Sequence, residues 1–441
     1  MKRHSITSWA AIVTLACVAI GQTAEELSAQ QATQPSDKQS TSGTVEQPAA
    51  NAQDASNAAD RRRRRPRGLA SPVVARDGKV TFRVSAPDAN SVSLTCDFLD
   101  DTPLIKGDDG TWSITVGPID PDIYYYNFVV DGVKSIDPGN SHAKIGYYTS
   151  TMNSVLTVGD DEPAFYDVKD VPHGEIRSHV YKSQSNGVVR ELNVYVPPGY
   201  DQNPDRRYPV LYLLHGNAND HHSWQRYGRA NEILDNLLAE KVIEPFLVVM
   251  PLGYGRASIN GDGTGIAANA GPDNRPIDPN ADGRFGGPDL FEQDILKDAI
   301  PMIDSKYRTV ADRRSRAICG FSMGGGQSSR IGLGNLDVFS HVGIMSAGFR
   351  GGTDSEPIAS LVADAAKTNR QIDLLWIGCG RDDFAFEGAT AMSQTLREAG
   401  IEHTFVESEG GHHWRVWRRY LRDVAPILFK GSAGKSAAGQ S

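Results

Sequence analysis

Two patterns of hydrophobic and polar positions divide this chain. Across residues 69–160, short runs alternate apolar and polar side chains with period two: "KVTFRVSA", "SVSLTC", "TWSITV" and "YYYNFVVDG". β-Branched and aromatic residues dominate them, and clusters of Pro, Asp, Asn and Gly separate them, as an all-β sandwich requires. In the last run the alternation sets Tyr124, Tyr126 and Phe128 on one face and Tyr125 on the other, with Trp112 on the preceding strand. Most of these aromatics are expected in the sandwich core.

From about Gly174 the period changes. Continuous apolar runs ("LNVYVP", "PVLYLLHG", "PFLVVMP", "SRAICG", "HVGIMSAG", "LLWIGCG") alternate with amphipathic stretches. "FEQDILKDAIPMIDSKY" places Phe291, Ile295, Ala299 and Ile303 one turn apart, and "ANEILDNLLAE" behaves likewise. Strands apolar on both faces, interleaved with such helices, predict a parallel sheet covered on both sides over residues 165–430. Active residues of such sheets sit on loops at the carboxyl ends of the strands.

Composition bounds the rest. A length of 441 residues accommodates two domains, and a net charge of -9 argues against a general nucleic-acid binder. Residues 1–21 read as a secretory signal: Lys2, Arg3 and His4 precede an apolar run too short to span a bilayer. No other stretch is long and apolar enough to cross a membrane, so a secreted or periplasmic protein is expected. Residues 22–68, ending in the basic block Arg61–Arg65, and the tail 431–441 read as disordered linkers. Beyond the leader, Cys96, Cys319 and Cys379 form no disulfide framework; Cys319 and Cys379 end apolar runs and are expected as buried thiols. No Cys/His metal spacing is present, and no metal or organic cofactor is expected.

The chemistry centres on "AICGFSMGGGQSSR". Ser322 follows an apolar strand and precedes a helix-compatible stretch over residues 325–333, the setting in which G-x-S-x-G has meaning. A serine hydroxyl needs a base and an oriented carboxylate, each expected after a later strand. "LLWIGCGRDDF" supplies Asp382 or Asp383, and "HTFVESEGGHHWRVW" supplies His412 or His413, in the order Ser, Asp, His. The backbone N–H groups of Asn217, after "LYLLHG", and of Met323 are the expected oxyanion donors.

Two resemblances add to this reading. "GTWSITVGPIDPDIYYYNFVVDGVKSIDPGN" resembles the early-set, immunoglobulin-like sandwich that precedes glycogen-branching enzymes, which implies a carbohydrate-binding-like module and a glycan contact as an open expectation. "PVLYLLHGNANDHHSW", "GRANEILDNLLAE", "PFLVVMPLGYG", "CGFSMGGGQS", "CGRDDF" and "GGHHWRVWRRYL" resemble the esterase-D-type esterase superfamily, most closely secreted feruloyl and acetylxylan esterases. That likeness implies an α/β-hydrolase fold and a carbohydrate ester as substrate. Its C-G-x-x-D and Gly-Gly-His patterns select Asp383 over Asp382 and His412 over His413. His413, His221 and Trp224 are then candidates for the substrate pocket, while Trp414 and Trp417 are expected to pack.

The insertion at residues 255–288 breaks the pattern. Asp278, Asn280, Asp282, Gly283 and Asp289 have the spacing of a calcium loop, although Asp stands at its twelfth position where Glu is usual; a solvated rim is the simpler expectation. Alternatives to the esterase reading are a siderophore trilactone esterase or an acyltransferase of the same fold, and a glycan-binding protein with a decayed site.

Overall fold

The computed structural model describes residues 69–147, 151–255, 287–349 and 358–430. The leader, the linker, most of the 255–288 insertion with its calcium-like spacing, and the tail lie outside the described residues.

The period-two segment forms ten strands: β1 (Val73–Val74), β2 (Val80–Ser85), β3 (Val92–Cys96), β4 (Thr102–Pro103), β5 (Ile105–Lys106), β6 (Thr111–Val116), β7 (Asp122–Val130), β8 (Val133–Ser135), β9 (Ala143–Ile145) and β10 (Met152–Val158). They pair into one sheet of order β1-β2-β6-β5 and a second of order β4-β3-β7-β10-β9, with β8 beside β7. The alternation decides which side chains meet: Phe82 and Trp112 of the first sheet share a core with Leu94, Tyr124, Tyr126, Phe128 and Leu156 of the second. Tyr126 meets Phe82 edge-on at 4.8 Å, a favoured aromatic geometry. Tyr125 leaves from the opposite face, toward the second half of the chain.

That half is an eight-stranded sheet: β11 (Glu175–Lys182), β12 (Val189–Val196), β13 (Val210–Leu214), β14 (Leu247–Pro251), β15 (Arg316–Phe321), β16 (His341–Met345), β17 (Leu374–Gly380) and β18 (Thr404–Ser408), in the order β11-β12-β14-β13-β15-β16-β17-β18. The first two strands run antiparallel, and β14 through β18 are parallel to one another. Every residue of β13, β14, β15 and β16 is buried, which is why these strands read as continuous apolar runs. Two clusters lie on the two faces, one including Phe291, Ile295 and Ile303, the other Trp224, Trp414 and Trp417. This is an α/β-hydrolase fold preceded by a β-sandwich.

Helices cover the sheet: α1 (Ala230–Ala239), α2 (Met323–Gly334), α3 (Phe386–Glu398) and α4 (Trp414–Val424) carry most of the argument below. The stripe of Phe291, Ile295, Ala299 and Ile303 is buried as its spacing predicts, but the helix is interrupted by a π segment, Asp294–Ala299. Asp294 in that segment takes the Arg190 Nε at 2.9 Å, both side chains fully buried, and the hydroxyl of the partly buried Tyr181 at 2.7 Å. No helix among the described residues is long and apolar enough to cross a membrane.

The sandwich and the sheet meet through α4. Arg418, fully buried, pairs with Asp122 at the start of β7, and Arg419 approaches the same carboxylate at 3.3 Å. Arg415 Nη2 donates to the Asp97 carbonyl at 3.1 Å, and the Tyr147 N–H donates to the Ala218 carbonyl at 3.1 Å.

Candidate active site

Ser322 stands between β15 and α2 with φ 54° and ψ -118°, a backbone strain that bulky side chains avoid and that concentrates at functional turns. The flanking glycines make the turn feasible. A Cβ on Gly320 would lie 2.6 Å from the Gly324 carbonyl carbon, and one on Gly324 would lie 2.6 Å from the His215 carbonyl oxygen. The helix begins at Met323, two residues earlier than its sequence pattern suggests, so Ser322 sits directly at the helix start. The Met323 N–H belongs to the first turn, which has no acceptor within its own helix, and the helix dipole favours negative charge there.

The strand order carries the other parts to the same edge. Asn217 follows β13, Asp383 follows β17, and His412 follows β18. His412 Nδ1 lies 2.9 and 3.0 Å from the two oxygens of Asp383. Asp383 is buried, and its Oδ1 also accepts the Ala385 N–H at 2.8 Å. Burial works to raise its pKa, but the hydrogen bonds from His412 and Ala385, with the Ser346 hydroxyl assisting, hold the carboxyl below the ordinary range. Asp382 is exposed; its N–H donates to the Gly410 carbonyl at 3.2 Å. That contact brings the two loops together, and a Cβ on Gly380 would collide with the same carbonyl, which explains the glycine in "CGRDDF".

The His412 ring is held between two aromatics. Phe384, 80 % exposed, lies 4.2 Å away between ring centroids, and Trp417 meets it edge-on at 5.0 Å. Trp417 also stacks on Phe321 at 3.9 Å and donates its indole N–H to Ser346 Oγ at 2.9 Å. It therefore supports both the imidazole and the neighbourhood of Asp383, a role that a reading as mere packing misses. Ser322, Asn217, His412 and His413 line one cavity of about 440 Å³, together with Trp414, Trp417 and Phe384.

Two pocket candidates do not reach that cavity. Trp224 is buried against Phe321 and Trp414, and its indole N–H donates to the Leu214 carbonyl at 3.0 Å. His221 is buried with Nε2 3.2 Å from a Glu191 oxygen. Both sit at or just before the short helix Ser223–Arg226, and neither is among the residues lining the cavity of Ser322.

The residues that sequence reasoning missed fall into two groups. His215, fully buried, accepts the Gly253 N–H on Nε2 at 2.8 Å, while its Nδ1 lies 2.8 Å from the Gly216 carbonyl. The Gly253 carbonyl in turn accepts from the Gln327 amide of α2 at 2.8 Å, tying the Asn217 loop to the Ser322 helix. The "HG" after β13 was its only signal. The second group comes from the sandwich: Asp97, Tyr125 and Lys144 line the Ser322 cavity. Nothing in a linear pattern connects them to a serine more than 170 residues away.

Residues 183–426 match the family model described as "Putative esterase". An endo-1,4-beta-xylanase/feruloyl esterase of Xylanibacter ruminicola is 33 % identical over 371 residues, covering 82 % of this chain and 46 % of that protein. Endo-1,4-beta-xylanase Y of Acetivibrio thermocellus is 24 % identical over 266 residues, covering 55 % of this chain and 22 % of its own length. The chain thus spans less than half the length of these relatives. In structure, the enterobactin esterase FES of Shigella flexneri superposes with a TM-score of 0.58 at 15 % identity, over 80 % of this chain and 93 % of that one, a likeness of fold.

Proposed function

This chain belongs to that esterase family, and from this premise we propose that it is a serine carboxylic-ester hydrolase acting on acyl esters of carbohydrate. The observation that carries the proposal is the pairing of Asp383 with His412 in the loop cluster whose cavity Ser322 and His412 share.

In the proposed reaction His412 takes the Ser322 proton as Oγ attacks the ester carbonyl. Asp383 orients the imidazole through Nδ1 and stabilises its charged form, remaining a carboxylate throughout. The N–H groups of Met323 and Asn217 take the oxyanion, at the start of a helix whose dipole favours that charge. The alcohol leaves with the proton from His412, and water repeats the sequence on the acyl-enzyme. No step draws on a metal or cofactor.

Feruloyl or acetyl esters of plant-type polysaccharide are the proposed substrates. The xylanase and feruloyl esterase activities in the names of the curated relatives support this choice, as does the carbohydrate-module character of the sandwich sequence. The leader-like residues 1–21 support export. The test is hydrolysis of methyl ferulate, acetylated xylan and a catechol trilactone by the native chain and by Ser322→Ala. Release of ferulate or acetate by the native chain alone is expected; release that persists in Ser322→Ala contradicts the proposal.

A further inference from the structure

The cavity holding Ser322 is walled in part by the sandwich, and strand geometry explains how. β7 turns Tyr124, Tyr126 and Phe128 into the sandwich core, which leaves Tyr125 on the outer face. Asp97 directly follows β3, the neighbour of β7, and its Oδ1 accepts the Tyr125 N–H at 3.1 Å. Lys144 is the middle residue of the edge strand β9, and its ammonium lies 5.7 Å from the Tyr125 ring and 5.5 Å from that of Tyr227. All three side chains line the same cavity as Ser322, His412 and His413.

Five of the residues lining that cavity carry a buried polar atom without a hydrogen-bond partner among the described residues: Asp97 Oδ2, the Tyr125 phenol oxygen, Asn219 Oδ1, His413 Nδ1 and Trp414 Nε1. Leaving such a group unpaired is costly, so folded proteins keep them scarce. Here five belong to residues that line one cavity beside the nucleophile, and acyl transfer by Ser322, His412 and Asp383 uses none of them. Their chemistry is specific. Asp97 offers a free carboxylate oxygen, Tyr125 a hydroxyl that both donates and accepts, and Lys144 a donor. Burial lifts the Asp97 carboxyl to about 6, against the opposing charge of Arg415, and pushes the Tyr125 phenol far above neutrality. A carboxylate beside the site disfavours an anionic ligand, and the ammonium disfavours a cationic one. A neutral group rich in hydroxyls satisfies the set.

We infer that Asp97, Tyr125 and Lys144 form a hydroxyl-recognising subsite through which the sandwich helps choose the ester. The inference rests on the esterase reading of Ser322. The hydroxyl comes either from a phenolic acyl group or from the sugar that carries the ester, and the chemistry of recognition is the same.

Two near-isosteric substitutions in the full chain separate recognition from folding. Asp97→Asn keeps an oxygen for the Tyr125 N–H and replaces the unpaired acceptor by an amide donor; Tyr125→Phe removes only the hydroxyl. kcat/KM is measured for methyl p-coumarate, for methyl cinnamate, which lacks the ring hydroxyl, and for a p-coumaroylated arabinose oligosaccharide. Each variant is expected to lower one ratio about tenfold, mainly through KM, the scale of one lost charged or buried hydrogen bond. A fall in p-coumarate relative to cinnamate assigns the subsite to the phenol. A fall in the oligosaccharide relative to methyl p-coumarate, with the first ratio intact, assigns it to the sugar. Unchanged ratios, whatever the absolute rates, overturn the subsite while leaving the esterase reading in place. A native chain inert on all three esters overturns the subsite, and one inert on acetylated xylan as well overturns the esterase reading too.

Discussion

His412 Nδ1 faces both carboxylate oxygens of Asp383, at 2.9 and 3.0 Å, across loops that follow two adjacent parallel strands. The adjacent Asp382 is exposed and makes its contact through the backbone. Replacing Asp383 by Asn removes the negative charge that orients and stabilises the imidazolium, and is expected to lower kcat by about a thousandfold or more. Asp382→Asn is expected to stay within about threefold, as a surface change away from the proton path. Steady-state hydrolysis of p-nitrophenyl acetate by the two variants checks the assignment; a reversed order contradicts it.

The glycines of the serine turn are expected to differ sharply. Gly324→Ala sets a Cβ 2.6 Å from the His215 carbonyl oxygen and 2.7 Å from that of Leu214, both backbone atoms of a buried strand end. A large fall in Tm, or loss of soluble protein, is expected. Gly326→Ala, two residues on in the same helix, meets nothing within 4 Å and replaces a poor helix former by the best one. It is expected to raise stability by about 0.5–1 kcal/mol. Thermal melts of the pair read both outcomes.

The Arg418–Asp122 pair joins α4 to the sandwich with both side chains out of water. Asp122→Asn keeps the size and leaves the guanidinium uncompensated, which is expected to cost about 3–5 kcal/mol of unfolding free energy. Denaturant titration measures it. A loss below about 1 kcal/mol, the scale of a surface pair, contradicts a buried interdomain ion pair.

Buried neutral histidines are expected to lower stability on acidification through the range in which a free imidazole takes its proton. His215 and His341 each accept a backbone N–H on Nε2, from Gly253 at 2.8 Å and Phe429 at 3.3 Å, which only a neutral imidazole can do. Burial lowers both to about 4. An unfolded histidine takes its proton near pH 6.5, so between about 6.5 and 4 the unfolded chain binds more protons than the folded one. These groups therefore leave stability flat above that window and lower it as pH falls through it. Asp383, whose carboxyl is depressed, adds its own loss only below the ordinary carboxylate range. Tm followed from pH 7 to 4.5 should drop less steeply in His341→Asn; an unchanged slope contradicts the assignment for His341.

Much of the fold was legible because burial leaves a linear trace. Strands covered on both faces, such as β13 and β15, must be apolar throughout, and the alternation in β7 must separate Tyr125 from Tyr124 and Tyr126. The placement of Ser322, Asp383 and His412 at one edge of the sheet was legible for a related reason: strand order and tight backbone contact force glycines next to them. The interruption at Asp294 left no such trace, because its Arg190 and Tyr181 partners are over a hundred residues away in the chain. Trp224 and His221 misled because proximity to Asn217 in sequence says nothing about which side of the loop a side chain takes. Asp97 and Lys144 were invisible since their place in the lining of the Ser322 cavity depends on how sandwich and sheet meet.

Trapping of the nucleophile tests the central claim most directly. The full chain is treated with a fluorophosphonate, which phosphonylates an activated serine, and the adduct is located by peptide mass analysis. The account predicts a single phosphonyl mass on the peptide bearing Ser322, at far less than the rate of the native chain in Asp383→Asn and absent in Ser322→Ala. An adduct on a different serine, or none in a chain that still hydrolyses esters, would contradict it.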